Sequence, residues 1–79
     1  MTASNDRRHR IQQYPIPIVR RAIGDMVYGD ENQRIVTGLY VDGRTYEDVA
    51  ASVPITTRGL YKRMDRIMPQ VEEYLKKLN

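Results

Sequence analysis

The sequence contains no cysteine, and its single histidine, His9, lies in a polar stretch near the N-terminus. The absence of cysteine excludes disulfide bonds and metal sites with thiolate ligands. An isolated histidine does not supply the several ligands that a zinc or heme site needs. We therefore expect neither a metal nor a cofactor.

Long apolar runs are also missing. No stretch approaches the roughly 20 apolar residues that a transmembrane helix needs. Residues 1–10 lack the apolar centre of a signal peptide. From these absences we expect a soluble, cytoplasmic protein with no membrane partner.

The residue sets that build active sites are absent from the sequence as well. It offers no nucleophile with a neighbouring base, no cluster of metal ligands and no glycine-rich loop for phosphates. Glu47 and Asp48 are acidic neighbours, but adjacent residues of a helix do not face each other. We interpret them as first-turn helix stabilisers, and an enzyme is the class of protein that the sequence favours least.

The positive charge of the chain is concentrated in one segment. The net charge is +3 over 79 residues, a length that predicts one small domain. Residues 56–68 alone have a net charge of +3, because they contain one acid, Asp65, and four cations: Arg58, Lys62, Arg63 and Arg66. A charge excess confined to one helix is typical of a phosphate-binding face, and the alternative is a solvated helix surface.

The periodicity of apolar residues predicts an all-α domain of four to five helices. Apolar stripes at three- and four-residue steps place helices at about 17–28, 31–41, 46–52 and 57–68. Pro69 is expected either to kink the last helix or to open a final helix over 70–78. Residues 1–14 are interpreted as a flexible basic arm, and residues 15–79 as the domain.

Residues 45–68 have the elements of a helix-turn-helix, which are two helices joined by a break of three or four residues. Thr45 and Thr56 are N-cap candidates for the two helices. Ala50 is small where the helices would cross, and Ile55 is an apolar residue in the turn that could fill the space between them. In this motif the first turns of the second helix meet base edges in the major groove of DNA.

The candidate DNA-binding residues follow from this motif. Arginine can bind guanine with two hydrogen bonds, threonine can contact bases or phosphates, and basic side chains farther along suit phosphates. The expected set begins at the turn and follows the exposed side of the second helix: Thr56, Thr57, Arg58, Tyr61, Lys62, Arg63 and Arg66. For Tyr61, half-buried packing is the alternative.

Four further arginines are accessory candidates: Arg7, Arg8, Arg10 and Arg44. The first three lie in the expected arm, which would either follow the minor groove or serve as a solubilising tail.

Several motifs resemble region four of bacterial sigma factors. The resemblance rests on Glu31–Tyr40 (ENQRIVTGLY), Gly43, Thr45–Ala50 (TYEDVA), Pro54–Thr56 (PIT), Leu60 and Arg63, and covers about residues 30–71. It implies that the residues after the turn contact a promoter and that the surface around the second helix is available to RNA polymerase.

The sequence departs from the region-four pattern at Pro54, which replaces the usual turn glycine, and at Gly59, which replaces a β-branched residue. Gly59 inside a helix costs about 1 kcal/mol relative to alanine. Nothing resembles the sigma region that melts promoters. The resemblance therefore implies a small bacterial regulator, of the phage or mobile-element kind, or one subunit of a split factor.

Two other functions stay open at this point. A protein-interaction module would bind RNA polymerase or a sigma subunit through the apolar stripe after Pro69. A phage DNA-packaging subunit would use the same fold to recognise DNA within a ring. A homodimer through the C-terminal helix is a further expectation, with Val71, Leu75 and Leu78 either as its seam or as part of the core.

Overall fold

The computed structural model describes the backbone of residues 3–78 and the side chains from Asp6 to Leu78. These residues form five helices and no strand: α1 (Ala3–Gln12), α2 (Ile16–Met26), α3 (Asp30–Tyr40), α4 (Tyr46–Ser52) and α5 (Thr57–Leu78). The prediction of a small all-α domain of four to five helices is confirmed. Within this range no helix is long and apolar enough to cross a membrane.

Helix α1 differs from the expected flexible arm. Residues 3–12 are helical, and the side chains of Arg7 and Ile11 are buried against the rest of the chain. No local pattern predicts this docking, because Ile11 is the one large apolar side chain in the segment. The contact depends instead on arginines that reach acids on α5. Residues 1 and 2 of the expected arm lie outside the described residues.

Helices α2 and α3 supply one side of the core. Pro17 lies in the first turn of α2, as its fixed φ favours. Asp30 is the first residue of α3, and Gly29 precedes it with a φ of 93°. The buried side chains of the two helices include Val19, Ala22, Ile23, Ile35, Val36 and Leu39.

The connection from α3 to α4 turns at Gly43. Gly43 has a φ of 76°, a conformation that favours glycine. The backbone N–H of Asp42 donates to the carbonyl of Thr37 at 2.9 Å, and that of Arg44 donates to the carbonyl of Gly38 at 2.9 Å. These bonds satisfy carbonyls at the end of α3 and turn the chain towards α4.

Helix α5 runs unbroken through Pro69, so of the two alternatives the separate final helix over 70–78 is wrong. Pro69 lies on the exposed side of the helix, where water can reach the carbonyl of Asp65 that loses its helical donor. The apolar stripe of α5 keeps its phase across the proline, and its five buried members are Leu60, Met64, Met68, Val71 and Leu75. Burial on both sides of Pro69 stabilises one continuous helix.

The C-terminal stripe is therefore part of the core. Val71 and Leu75 are fully buried within the chain, whereas Leu78 is 39% exposed. Val71 and Leu75, which were expected either in the core or at a dimer seam, are therefore buried within a single copy of the chain.

Candidate nucleic-acid interface

Two threonine caps define the start of each helix in the α4–turn–α5 unit. The hydroxyl oxygen of Thr45 accepts a hydrogen bond from the backbone N–H of Asp48 at 3.1 Å. The hydroxyl oxygen of Thr56 accepts one from the backbone N–H of Gly59 at 3.0 Å. Both predicted N-caps are confirmed. The residues after Thr56 are consequently helical from Thr57 onward.

The turn between α4 and α5 packs closely on Gly59. The backbone N–H of Ile55 donates to the carbonyl of Ala50 at 2.9 Å and draws the turn against α4. A Cβ atom at position 59 would lie 3.1 Å from the Thr56 hydroxyl oxygen and 3.4 Å from Cγ1 of Ile55. Gly59 thus leaves room for the apolar side chain that fills the turn, and this packing explains a glycine inside the helix.

A cluster of three tyrosines, Tyr40, Tyr46 and Tyr61, joins α3, α4 and α5. The hydroxyl groups of Tyr40 and Tyr46 are 3.2 Å apart and share a hydrogen bond. The ring of Tyr46 stacks on the ring of Tyr61. Burial raises the pKa of Tyr46, and the Tyr40 hydroxyl raises it further. Tyr61 itself is 38% exposed, so it combines the packing role with an edge that faces solvent.

Three cations form a row on the exposed side of α5. Arg58, Lys62 and Arg66 are spaced four residues apart, on the side opposite the buried Leu60 and Met64. Among residues 6–78, none of the three takes part in an ion pair. The row therefore presents three uncompensated positive charges to solvent.

Arg63 differs from the other basic residues predicted on this helix. Its guanidinium donates to the carboxylate of Glu31 at 2.8 Å and to the side-chain oxygen of Asn32 at 3.3 Å. These contacts tie α5 to the first turn of α3. Thr56 is engaged as a cap, and Thr57 is half-buried beside it. The structure thus separates the predicted residues into an exposed row and a group that holds the unit together.

The four accessory arginines also fall into two groups. Arg7 is only 8% exposed, and its guanidinium lies 3.2 Å from a carboxylate oxygen of Asp65. Arg10 donates two hydrogen bonds, at 2.9 Å and 3.3 Å, to the carboxylate of Glu72. Arg7 and Arg10 therefore serve the contact between α1 and α5, and the burial of Arg7 removes it from the surface.

Arg8 and Arg44 lie together at the start of α4. The guanidinium of Arg8 donates to the backbone carbonyl of Arg44 at 3.2 Å, and that of Arg44 donates to the carbonyl of Asp48 at 3.3 Å. Arg8 therefore reaches the start of α4, whose first residue, Tyr46, stacks on Tyr61 of α5. The side chain of Arg44 packs beside Gly38 of α3.

We call the surface formed by Arg8, Arg44, Tyr61 and the row Arg58, Lys62 and Arg66 the basic face. Beside it, Glu47 and Asp48 are exposed in the first turn of α4. The exposed Asp65 of α5 also lies on this side, so five cations stand against three acids, and this side of the molecule attracts anions.

Arg7 is a buried cation that lies near Tyr40 of the tyrosine cluster and Asp65 of α5. Burial lowers the pKa of Arg7, but the Tyr40 hydroxyl and the Asp65 carboxylate outweigh that effect and raise it. Sequence reasoning missed this role because it placed Arg7 in an arm. The signal that was available is the excess of tyrosine, with six in a chain that has no phenylalanine or tryptophan. Buried tyrosines need partners for their hydroxyl groups.

Comparison with known proteins adds no relative to this picture: no family model matches the chain, and no curated protein or solved structure matches it significantly.

Proposed function

We propose that the protein binds double-stranded DNA through the basic face, with the first turns of α5 in the major groove. The observation that carries the proposal is the row Arg58, Lys62 and Arg66, which has no acidic partner among the described residues. The row follows directly on a capped turn after α4. This is the place where a helix-turn-helix presents its reading residues.

The row is long enough to reach both bases and backbone. Four residues of helix rise about 6 Å, so Arg58 and Arg66 are separated by roughly 12 Å along the axis of α5. The major groove of B-DNA admits an α-helix. A helix inserted there can contact bases with its early residues while a later cation meets a phosphate at the rim.

The basic residues have distinct roles in this arrangement. Arg58 and Lys62 lie in the first turns of α5 and are proposed to read base edges, with Tyr61 beside them. Arg66 is proposed to bind a phosphate. Arg8 and Arg44, at the start of α4, are proposed to bind the backbone where the first helix of the motif crosses it. Arg63 is left out, because Glu31 and Asn32 already engage it.

The biological setting of this binding is a separate proposal. The resemblance to region four of sigma factors favours a transcription regulator, and it makes RNA polymerase an additional candidate partner. Both stay predictions. A homodimer also stays a prediction, and a palindromic DNA target would support it, because the symmetry of the half-sites mirrors that of the protein.

Selection from a random pool of duplex DNA, at about 0.15 M salt, tests the proposed function. The wild-type protein is expected to enrich a defined sequence. The variant Arg58→Ala/Lys62→Ala is expected to lose this enrichment and to keep its helical circular dichroism. The matched control is Lys76→Ala/Lys77→Ala, which removes the same charge from the far end of α5.

A wild-type protein that enriches no sequence and shows no salt-sensitive affinity for duplex DNA would contradict the proposal. Equal binding by the two double variants would contradict the assignment to the basic face.

A further inference from the structure

Asp65 is the one acid in residues 57–68 of α5. It follows Tyr61 by one helical turn and directly precedes Arg66, so it belongs to the part of α5 that carries the basic face. Its side chain is 66% exposed. A carboxylate in this place would repel the phosphates that the neighbouring cations attract.

The carboxylate of Asp65 is held from the side by Arg7. One carboxylate oxygen accepts a hydrogen bond from the Arg7 guanidinium at 3.2 Å. The guanidinium is buried between α1 and α5, where a carboxylate oxygen of Glu72 lies 3.7 Å away. Because burial and Glu72 restrict Arg7, its hydrogen bond sets the direction in which the Asp65 side chain points.

We propose that Arg7 is a positioning residue of the DNA interface, which turns the Asp65 carboxylate towards α1 and keeps it away from the DNA phosphates. The inference rests on the proposed function. It assigns to α1 a part in DNA binding without a contact between Arg7 and DNA. Distance matters here because charges are screened over about 8 Å at physiological salt. A carboxylate held at the side of the helix repels a phosphate less than one free to extend towards it.

A purely structural role for Arg7 predicts something different. In that case replacing Arg7 would lower stability, and the identity of residue 65 would not matter for DNA affinity. The two roles are separated by combining substitutions at both positions and measuring affinity for DNA under conditions in which every variant is folded.

The experiment uses the full chain and the duplex that the wild-type protein enriches. Arg7→Met keeps an unbranched apolar stem and removes the charge. It is expected to weaken DNA binding about tenfold, because the freed carboxylate faces phosphates. Asp65→Asn alone is expected to change affinity by less than about threefold, and in the Arg7→Met background it is expected to restore most of the loss.

Glu72→Gln in the Arg7→Met background is the matched control. Glu72 also contacts Arg7, but it keeps its two hydrogen bonds to Arg10 and lies two helical turns beyond Asp65. This variant is expected to leave affinity at the level of Arg7→Met. Thermal unfolding of each variant reports stability separately.

Affinity that Arg7→Met leaves unchanged, or a loss that Asp65→Asn does not restore, would overturn the inference while the proposed function stands. Failure of the wild-type protein to bind the duplex would overturn the proposed function itself. If Arg7→Met does not fold, the Arg7→Lys variant tests the inference instead, because lysine keeps a cation beside Asp65. Binding within about threefold of wild type supports the inference, and a tenfold loss in the folded Arg7→Lys protein contradicts it.

Discussion

The rings of Tyr46 and Tyr61 lie parallel, with their centroids 4.1 Å apart and an interplanar angle of 3°. Tyr46 is the first residue of α4, and Tyr61 lies in the second turn of α5. The stack therefore joins the two helices where the basic face begins. Because the Tyr40 hydroxyl also engages Tyr46, α3 supports the same contact.

A double-mutant cycle measures this contact. Tyr46→Leu and Tyr61→Leu each keep an apolar side chain and remove the stack. Their coupling in the free energy of unfolding is expected to be about 0.5–1.5 kcal/mol, the range for aromatic pairs. The control cycle combines Tyr46→Leu with Tyr28→Leu, since Tyr28 is 77% exposed in the α2–α3 connection. Coupling in the control as large as in the test cycle would contradict the stack as its source.

The raised pKa of Tyr46 predicts a loss of stability in alkali. In the unfolded chain a tyrosine ionises near pH 10, whereas burial and the Tyr40 hydroxyl keep Tyr46 protonated to higher pH in the folded protein. The unfolded state therefore releases its proton first, and stability falls as pH rises above about 10. Between about pH 9 and pH 11, Tyr46→Phe is expected to lose less stability than the wild type.

The exposed Tyr28 gives the control for this measurement. Tyr28→Phe is expected to show the same alkaline loss of stability as the wild type. The explanation fails if Tyr46→Phe and the wild type have parallel pH profiles.

Two glycines are expected to respond to alanine in opposite directions. Gly24 is exposed inside α2, and a Cβ atom there meets nothing within 4 Å. Gly24→Ala is expected to stabilise the fold by about 0.5–1 kcal/mol, because alanine loses less backbone entropy. Gly43 has a φ of 76°, so Gly43→Ala is expected to destabilise it by about 1–2 kcal/mol. Urea unfolding measures both, and effects of the same sign would contradict the assigned conformations.

Much of the fold follows from the sequence, because apolar periodicity and the caps are local signals. The stripe from Leu60 to Leu75 and the capping hydroxyls of Thr45 and Thr56 are visible without tertiary structure. Helix α1 could not be predicted in this way. Its docking depends on Arg7 and Arg10 reaching acids that are 58 and 62 residues away in the sequence.

The exposed residues of the candidate site could be predicted from the sequence better than the contacts that hold the helices together. The residues that the sequence places on the outer side of α5, such as Arg58 and Lys62, are exposed in the structure. Arg63 was grouped with them because it is basic and on the same helix. Its engagement by Glu31 depends on how α3 packs on α5, which no local pattern encodes.

Arg63 and Arg66 are therefore expected to differ as alanine variants. Arg66→Ala removes a proposed phosphate contact, so it is expected to weaken DNA binding uniformly across sequences and to reduce the salt slope by about 1. Arg63→Ala breaks the ion pair with Glu31 at a partly exposed position and is expected to cost about 0–1 kcal/mol of stability. Its salt slope is expected to match the wild type, and an equal reduction in both variants would contradict this division.

The salt dependence of DNA affinity is the most direct test of the basic face. Affinity for the enriched duplex is measured across a range of salt concentrations for the wild type and for Arg58→Ala/Lys62→Ala/Arg66→Ala. Each phosphate contact adds about 0.9 to the magnitude of the slope of log affinity against log salt. DNA binding through the basic face predicts a flatter slope for the triple variant, with Lys76→Ala/Lys77→Ala retaining the wild-type slope. A triple variant whose slope equals that of the wild type would contradict DNA binding through this face.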